Sequence, residues 1–185
     1  DGAFITWIDY RNDTGSPPRD RDVCVQYIQS ATATMPPAPT NWVPNGLSVA
    51  TNQRMDQINP ELDTDNIFLL DLLGQTTQGV VVTYQDNRIR SAYSGQPVWT
   101  VFANRIDANG VQMYTMGTPP SIADVAAGPS YEQQEYPRIV TTGKNPNVTN
   151  QSAVIVWQDA GADPVQGTTD IHAQRLDATG LALFG

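Results

Sequence analysis

The sequence predicts an all-β fold built from about three repeats of a four-stranded sheet, the first of them incomplete. Two internal similarities and the composition carry that expectation. ANRIDANG (Ala103 to Gly110) returns as AQRLDATG (Ala173 to Gly180), 70 residues later and identical at five of eight positions. A second phrase occurs three times, as GAFITWIDYR from Gly2, GVVVTYQDNR from Gly79 and SAVIVWQDAG from Ser152. It joins a small residue, an apolar run, an aromatic, one spacer and an aspartate. Self-similarity of this kind marks a repeat architecture. Fourteen glycines, 14 prolines and only 16% charged residues suit a turn-rich globular chain rather than a disordered one.

The elements follow in order. Within each phrase the apolar run is short, rich in Val, Ile and Thr, and bounded by turn residues, so it reads as a strand. Val80 to Tyr84 and Val154 to Trp157 are nearly continuous apolar runs, as expected of strands covered on both faces. The aromatics Trp7, Tyr84 and Trp157, with Asp9, Asp86 and Asp159 two residues on, are expected at equivalent buried and strand-end positions. DVCVQYIQS (Asp22 to Ser30) aligns with DIHAQRLDA (Asp170 to Ala178) and supplies the next strand of the first repeat. ANRIDANG ends a strand and enters a turn, with Asn109-Gly110 as a two-residue hairpin signal and Thr179-Gly180 in the same place. Asp107, Gly110, Asp177 and Gly180 are the repeated turn residues. Val111 to Met116 and Leu181 to Gly185 then form a further strand. NIFLLDLL (Asn66 to Leu73) and YPRIVTT (Tyr136 to Thr142) are expected to open the second and third repeats, Pro137 standing at a strand start where no ladder donor is lost.

One domain over 1–185 is thus expected, with repeats at approximately 1–51, 66–116 and 136–185 and loop insertions at 31–65 and 117–135. No strand-like segment precedes Gly2, so the first repeat lacks its opening strand. Four short antiparallel strands per repeat is the sheet that forms one blade of a β-propeller. Such a sheet cannot bury both faces alone. The repeats therefore read as part of a larger propeller or assembly, completed by other portions or copies of the same protein.

Net charge is −9, with one lysine and nine arginines and no basic stripe. That argues against nucleic acid, whose phosphates supply most of the affinity for such partners. No apolar run approaches the ~18 residues of a membrane-spanning helix, and no membrane insertion is expected. A single cysteine, Cys24, and a single histidine, His172, leave little material for a transition-metal site or for Ser-His-Asp or Cys-His catalysis. Cys24 reads as a buried small hydrophobe. His172 occupies the packing slot that Cys24 and Phe102 hold in the other repeats.

VIVWQD (Val154 to Asp159) with DIHAQRLDATG (Asp170 to Gly180), and VVTYQDNR with ANRIDANG, resemble the propeller-like repeats of large secreted and surface-anchored bacterial proteins, where a phrase of the form VWEDNR…DIYAQRLDANG recurs. The resemblance covers about two thirds of the chain and implies a secreted or cell-surface structural repeat. The chain departs from the pattern in its long connections and in the first repeat, where Tyr27 replaces the arginine and the Asp-Ala-x-Gly turn is missing.

The candidates for chemistry are few. Asp9, Asp86 and Asp159 could converge as carboxylates, but recurrence once per repeat points to capping of strand-end turns. Arg105 and Arg175 share a strand face with Asp107 and Asp177 and read as inter-sheet ties. A sialidase-like arginine cluster would need Arg11 and Arg88 to converge, and the Asp-box turn of those enzymes is missing. ELDTDN (Glu61 to Asn66) alternates oxygen ligands and would suit calcium at Asp63 and Asp65, although it lacks the glycine and distal glutamate of an EF-hand; no other cofactor is expected. Trp42, Tyr93, Trp99 and Tyr131 lie in or beside the connections and are the candidate ligand-binding residues. The expected function is a non-enzymatic extracellular structural or adhesive module that binds glycans or surface proteins through its loops. The alternative is a propeller-type carbohydrate-active enzyme, glycoside hydrolase-like, with its carboxylates in the loops.

Overall fold

A computed structural model describes residues 2–11, 21–29, 42–50, 56–70, 76–90, 95–107, 109–114, 123–124, 133–142, 152–160 and 169–183, with backbone alone for 2, 29, 65–70, 76–78, 90 and 123–124. The described residues are all β, without a helix. Ten strands run in chain order: β1 Gly2–Asp9, β2 Asp22–Gln29, β3 Leu47–Ser48, β4 Gln57–Leu70, β5 Thr76–Arg90, β6 Pro97–Asp107, β7 Ala123–Asp124, β8 Gln134–Thr141, β9 Ser152–Asp159 and β10 Asp170–Asp177. They form three antiparallel sheets, ordered β1-β2-β3, β4-β5-β6-β7 and β10-β9-β8.

The repeated phrases fall at one register in all three sheets. Trp7 pairs with Cys24, Tyr84 with Phe102 and Trp157 with His172. β1, β5 and β9 are therefore the same strand three times, and β2, β6 and β10 are its neighbour. Asp107 and Asp177 end that neighbour, and single bridges, Ile106 to Gln112 and Leu176 to Ala182, begin a further strand beyond the turn.

The second sheet lies between the other two, and one face of each outer sheet is buried on it. Toward the first sheet it turns Val80, Val82, Tyr84, Phe102 and Ile106, which pack with Val23, Val25, Val49 and Ala50. Toward the third it turns Val81, Val101 and Ala103, which pack with Ala153, Ile155, Trp157 and Leu176. Coverage on both sides is why Val80 to Asp86 are buried without a break. β9 instead alternates, with Ile155 buried and Val156 exposed, because only one of its faces is covered.

Two expectations are corrected here. β4 begins at Gln57, inside the segment read as an insertion, and ELDT (Glu61 to Thr64) pairs with Val80 to Thr83 as a strand rather than forming a loop. The strand escapes a hydrophobic scan because its outward side chains are polar and tie to the third sheet. Pro137 does not start a strand either. Pro60 and Pro137 both sit where the ladder register shifts, between Ile58 and Glu61 and between Glu135 and Arg138. A bulge leaves a residue unpaired, so the missing proline donor costs nothing there.

Candidate functional site

The strand-end carboxylates are held inside their own repeats. Arg11 donates its backbone N–H to Asp9 Oδ1 at 2.9 Å and its Nε to Asp9 Oδ2 at 2.6 Å. Arg88 does the same to Asp86, its backbone N–H reaching Oδ1 at 2.7 Å and its guanidinium reaching Oδ2. That guanidinium also lies 4.6 Å from the centre of the Phe102 ring, a cation–π geometry. The third repeat has glycine at 161, and Gln134 Nε2 approaches Asp159 Oδ2 at 3.4 Å. The bond from Arg11 holds the Asp9 carboxyl below its ordinary value. Asp9 and Asp86 are thus each paired with the arginine two residues on, and Asp159 has Gln134 instead.

Asp107 and Asp177 organise identical turns. Asp107 Oδ1 accepts the N–H groups of Asn109 and Val111, both at 2.8 Å; Asp177 Oδ1 accepts those of Thr179 at 2.8 Å and Leu181 at 3.0 Å. Gly110 N–H donates to Asp107 O at 3.0 Å and Gly180 N–H to Asp177 O at 3.1 Å. The positive φ falls on the glycines, 77° and 88°, and not on Asn109 or Thr179. Asp107 N–H reaches Val111 O at 3.0 Å, and Asp177 N–H reaches Leu181 O at the same distance. Each turn is therefore a three-residue hairpin loop with glycine last, instead of the two-residue turn that Asn-Gly suggests.

Joints between the sheets are also repeated, and the residues that make them went unread in the sequence. Gln57-Ile58-Asn59-Pro60 and Gln134-Glu135-Tyr136-Pro137 open β4 and β8. Gln57 Oε1 accepts Val23 N–H of the first sheet at 2.9 Å, and Gln134 Oε1 accepts Val101 N–H of the second at 3.1 Å. Val23 and Val101 hold the same register. One residue earlier, Asp56 Oδ1 accepts Arg21 N–H at 3.3 Å, and Gln133 Oε1 accepts Trp99 N–H at 2.9 Å. Asp56 adds a two-pronged pair with the Arg21 guanidinium at 3.0 and 2.9 Å. Asn59 and Tyr136, each before the proline, both take positive φ, 50° and 55°. A Gln-x-x-Pro spacing of 77 residues was the available signal.

The candidate ligand-binding aromatics divide. Trp42 is half-buried and stacks obliquely in a cluster, 6.0 Å from Phe4 and 6.5 Å from Tyr27 between ring centres. Trp99 is half-buried on β6 with its backbone held by Gln133. Tyr93 and Tyr131 lie outside the described residues. His172 is exposed and stacks on Trp157 at 5.8 Å. Cys24 is buried, and that burial pushes its thiol up to about 11.

Asp63 does not stand in a loop. Its Oδ2 accepts Thr141 N–H at 2.8 Å and Thr141 Oγ1 at 3.1 Å, tying β4 to β8. The Asp65 side chain lies outside the described residues. Among the described residues, no three His, Cys, Asp or Glu side chains gather as a metal site would require. Compared with known families, curated proteins and solved structures, the chain matches none.

Proposed function

We propose that this chain is a non-enzymatic extracellular structural or adhesive module, a portion of a propeller built from these repeats, whose connecting loops contact glycans or surface proteins. One observation carries the reading: Asp9 and Asp86 with their arginines, and Asp107 and Asp177 with their turns, are engaged in bonds that recur from one sheet to another. Glycoside hydrolysis needs two carboxylates facing each other across about 5–9.5 Å with one free to act as acid. Asp9 and Asp86 are instead each clamped by an arginine two residues on. Three sheets stacked face to face, each an antiparallel meander, are the arrangement that successive blades adopt.

The secreted or surface location follows from the resemblance of the Trp-x-Asp and Asp-Ile-x-Ala-Gln-Arg-Leu-Asp phrases. Glycan-array binding of the purified chain, run beside hydrolysis assays on chromogenic glycosides and polysaccharides, tests the proposal. Binding without turnover, weakened by Trp99→Ala or Tyr131→Ala, is the expected result. Turnover abolished by Asp86→Asn would establish the carbohydrate-active enzyme instead.

A further inference from the structure

Among the described residues no other sheet covers the outward face of either outer sheet, and those faces are complementary by the rule the chain already uses twice. On the first sheet the open face carries Ala3, Ile5, Trp7, Gln26 and Ile28. Ile5 is 43% exposed and Ile28 50% exposed. The register makes these the counterparts of Ala153, Ile155, Trp157, Gln174 and Leu176. Four of these five are identical; Ile28 to Leu176 is a change, as is Cys24, buried opposite Trp7 on the same face, to His172. That second set is the face of the third sheet packed on the second.

The open face of the third sheet carries Val140, Val154, Val156, Ile171 and Ala173. Ile171 is 76% and Val140 54% exposed. Val154, Ile171 and Ala173 are the counterparts of Val81, Val101 and Ala103. Those three residues are what the second sheet offers to the Ala-Ile-Trp face of the third. The chain therefore displays at one end the surface that its other end is built to cover.

We infer that copies of this chain associate head to tail, the Ala3-Ile5-Trp7 face of one docking on the Val154-Ile171-Ala173 face of the next. The occupant is a second copy because the two internal interfaces specify it residue by residue. Val140, Val156 and Ile171 are exposed together on that face, and an exposed apolar patch, rather than a lone side chain, marks an interaction site. The contact is heterologous, since different surfaces meet, so it propagates until a ring closes or a filament grows. The inference rests on the equivalence of the three sheets and not on what the loops bind, so a chain that binds no glycan leaves it standing.

Sedimentation of the full chain with two charge variants tests it. Wild type should show a mass that rises with concentration above the monomer. Ile5→Asp blocks one face and Ile171→Asp the other, and each alone should remain monomeric with an unchanged circular dichroism spectrum. Mixed in equal amounts, the two retain one good face each and should form a dimer that grows no further. Should either variant lose its fold, Ile28→Lys and Val140→Lys on the same two faces replace them. A wild-type chain that stays monomeric at every concentration overturns the inference and leaves both faces to another partner. So does a single variant that still associates, or a mixture that stays monomeric.

Discussion

Asp107 and Asp177 show how one side chain serves a repeat. One oxygen of each carboxylate, Oδ1, accepts two backbone donors that the turn would otherwise leave unpaired. Replacing Asp177 by Ala should cost about 1–2 kcal/mol, the scale of a lost charged cap, read from urea denaturation. Gly180→Val should cost more, because φ of 88° is a left-handed conformation that a β-branched residue resists. A β-carbon there would also stand 2.8 Å from Tyr114 Cγ, a buried ring. The pH dependence follows from the same groups. The Arg11 bond lowers Asp9; burial opposes the shift at Asp177, where the bonds from Thr179, Leu181 and Gly180 outweigh it. A carboxyl lowered on folding adds stability that is complete above its unfolded value of 3.8. That stability is lost as pH falls through the lower folded value. Urea midpoints should therefore hold steady at mildly acidic pH and drop below about pH 4. At the other end, the raised Cys24 thiol should resist alkylation at pH 8 until denaturant is added, since only the thiolate reacts.

At the scale of the element, the Gln-x-x-Pro opening joins one sheet to the one before. Gln57 and Gln134 are buried, and each supplies the acceptor for a backbone N–H of the neighbouring sheet. Gln134→Leu keeps most of the volume and removes that acceptor, leaving Val101 N–H buried without its partner. A cost of about 1–3 kcal/mol is expected by chemical denaturation. The aromatic of the Trp-x-Asp strand makes the companion test. Trp157 is buried between sheets, whereas Trp7 stands half-buried on an open face against Gly46. Trp157→Ala should cost about 3–5 kcal/mol, and Trp7→Ala less, although their sequence contexts are nearly the same.

For the whole molecule, the second sheet is the shared core. Both of its faces are covered, so losing either neighbour exposes apolar surface worth about 25 cal/mol per Å². Hydrogen exchange should be slowest in Val80 to Asp86 and faster in β9 and β1, where one face is open. Uniform protection across β1, β5 and β9 would mean that the outer faces are covered in solution.

Much of this organisation could be read from residues in order. Strand identity, the thrice-repeated aromatic and aspartate, and the turn glycines all follow from local rules: alternation, β-branching and the freedom of glycine at positive φ. Those rules act within one strand or turn, and a repeat states them more than once. The Gln-x-x-Pro joint, the polar strand at Gln57 to Thr64 and the tie from Asp63 to Thr141 were not legible, because their partners lie 16 to 78 residues away. A polar side chain declares its partner only when a neighbouring sheet supplies it. The same limit separates Trp7 from Trp157. Sequence determined that both belong to one kind of strand; only the stacking of sheets decided that one is buried and the other awaits a surface to cover it, since burial depends on what lies opposite.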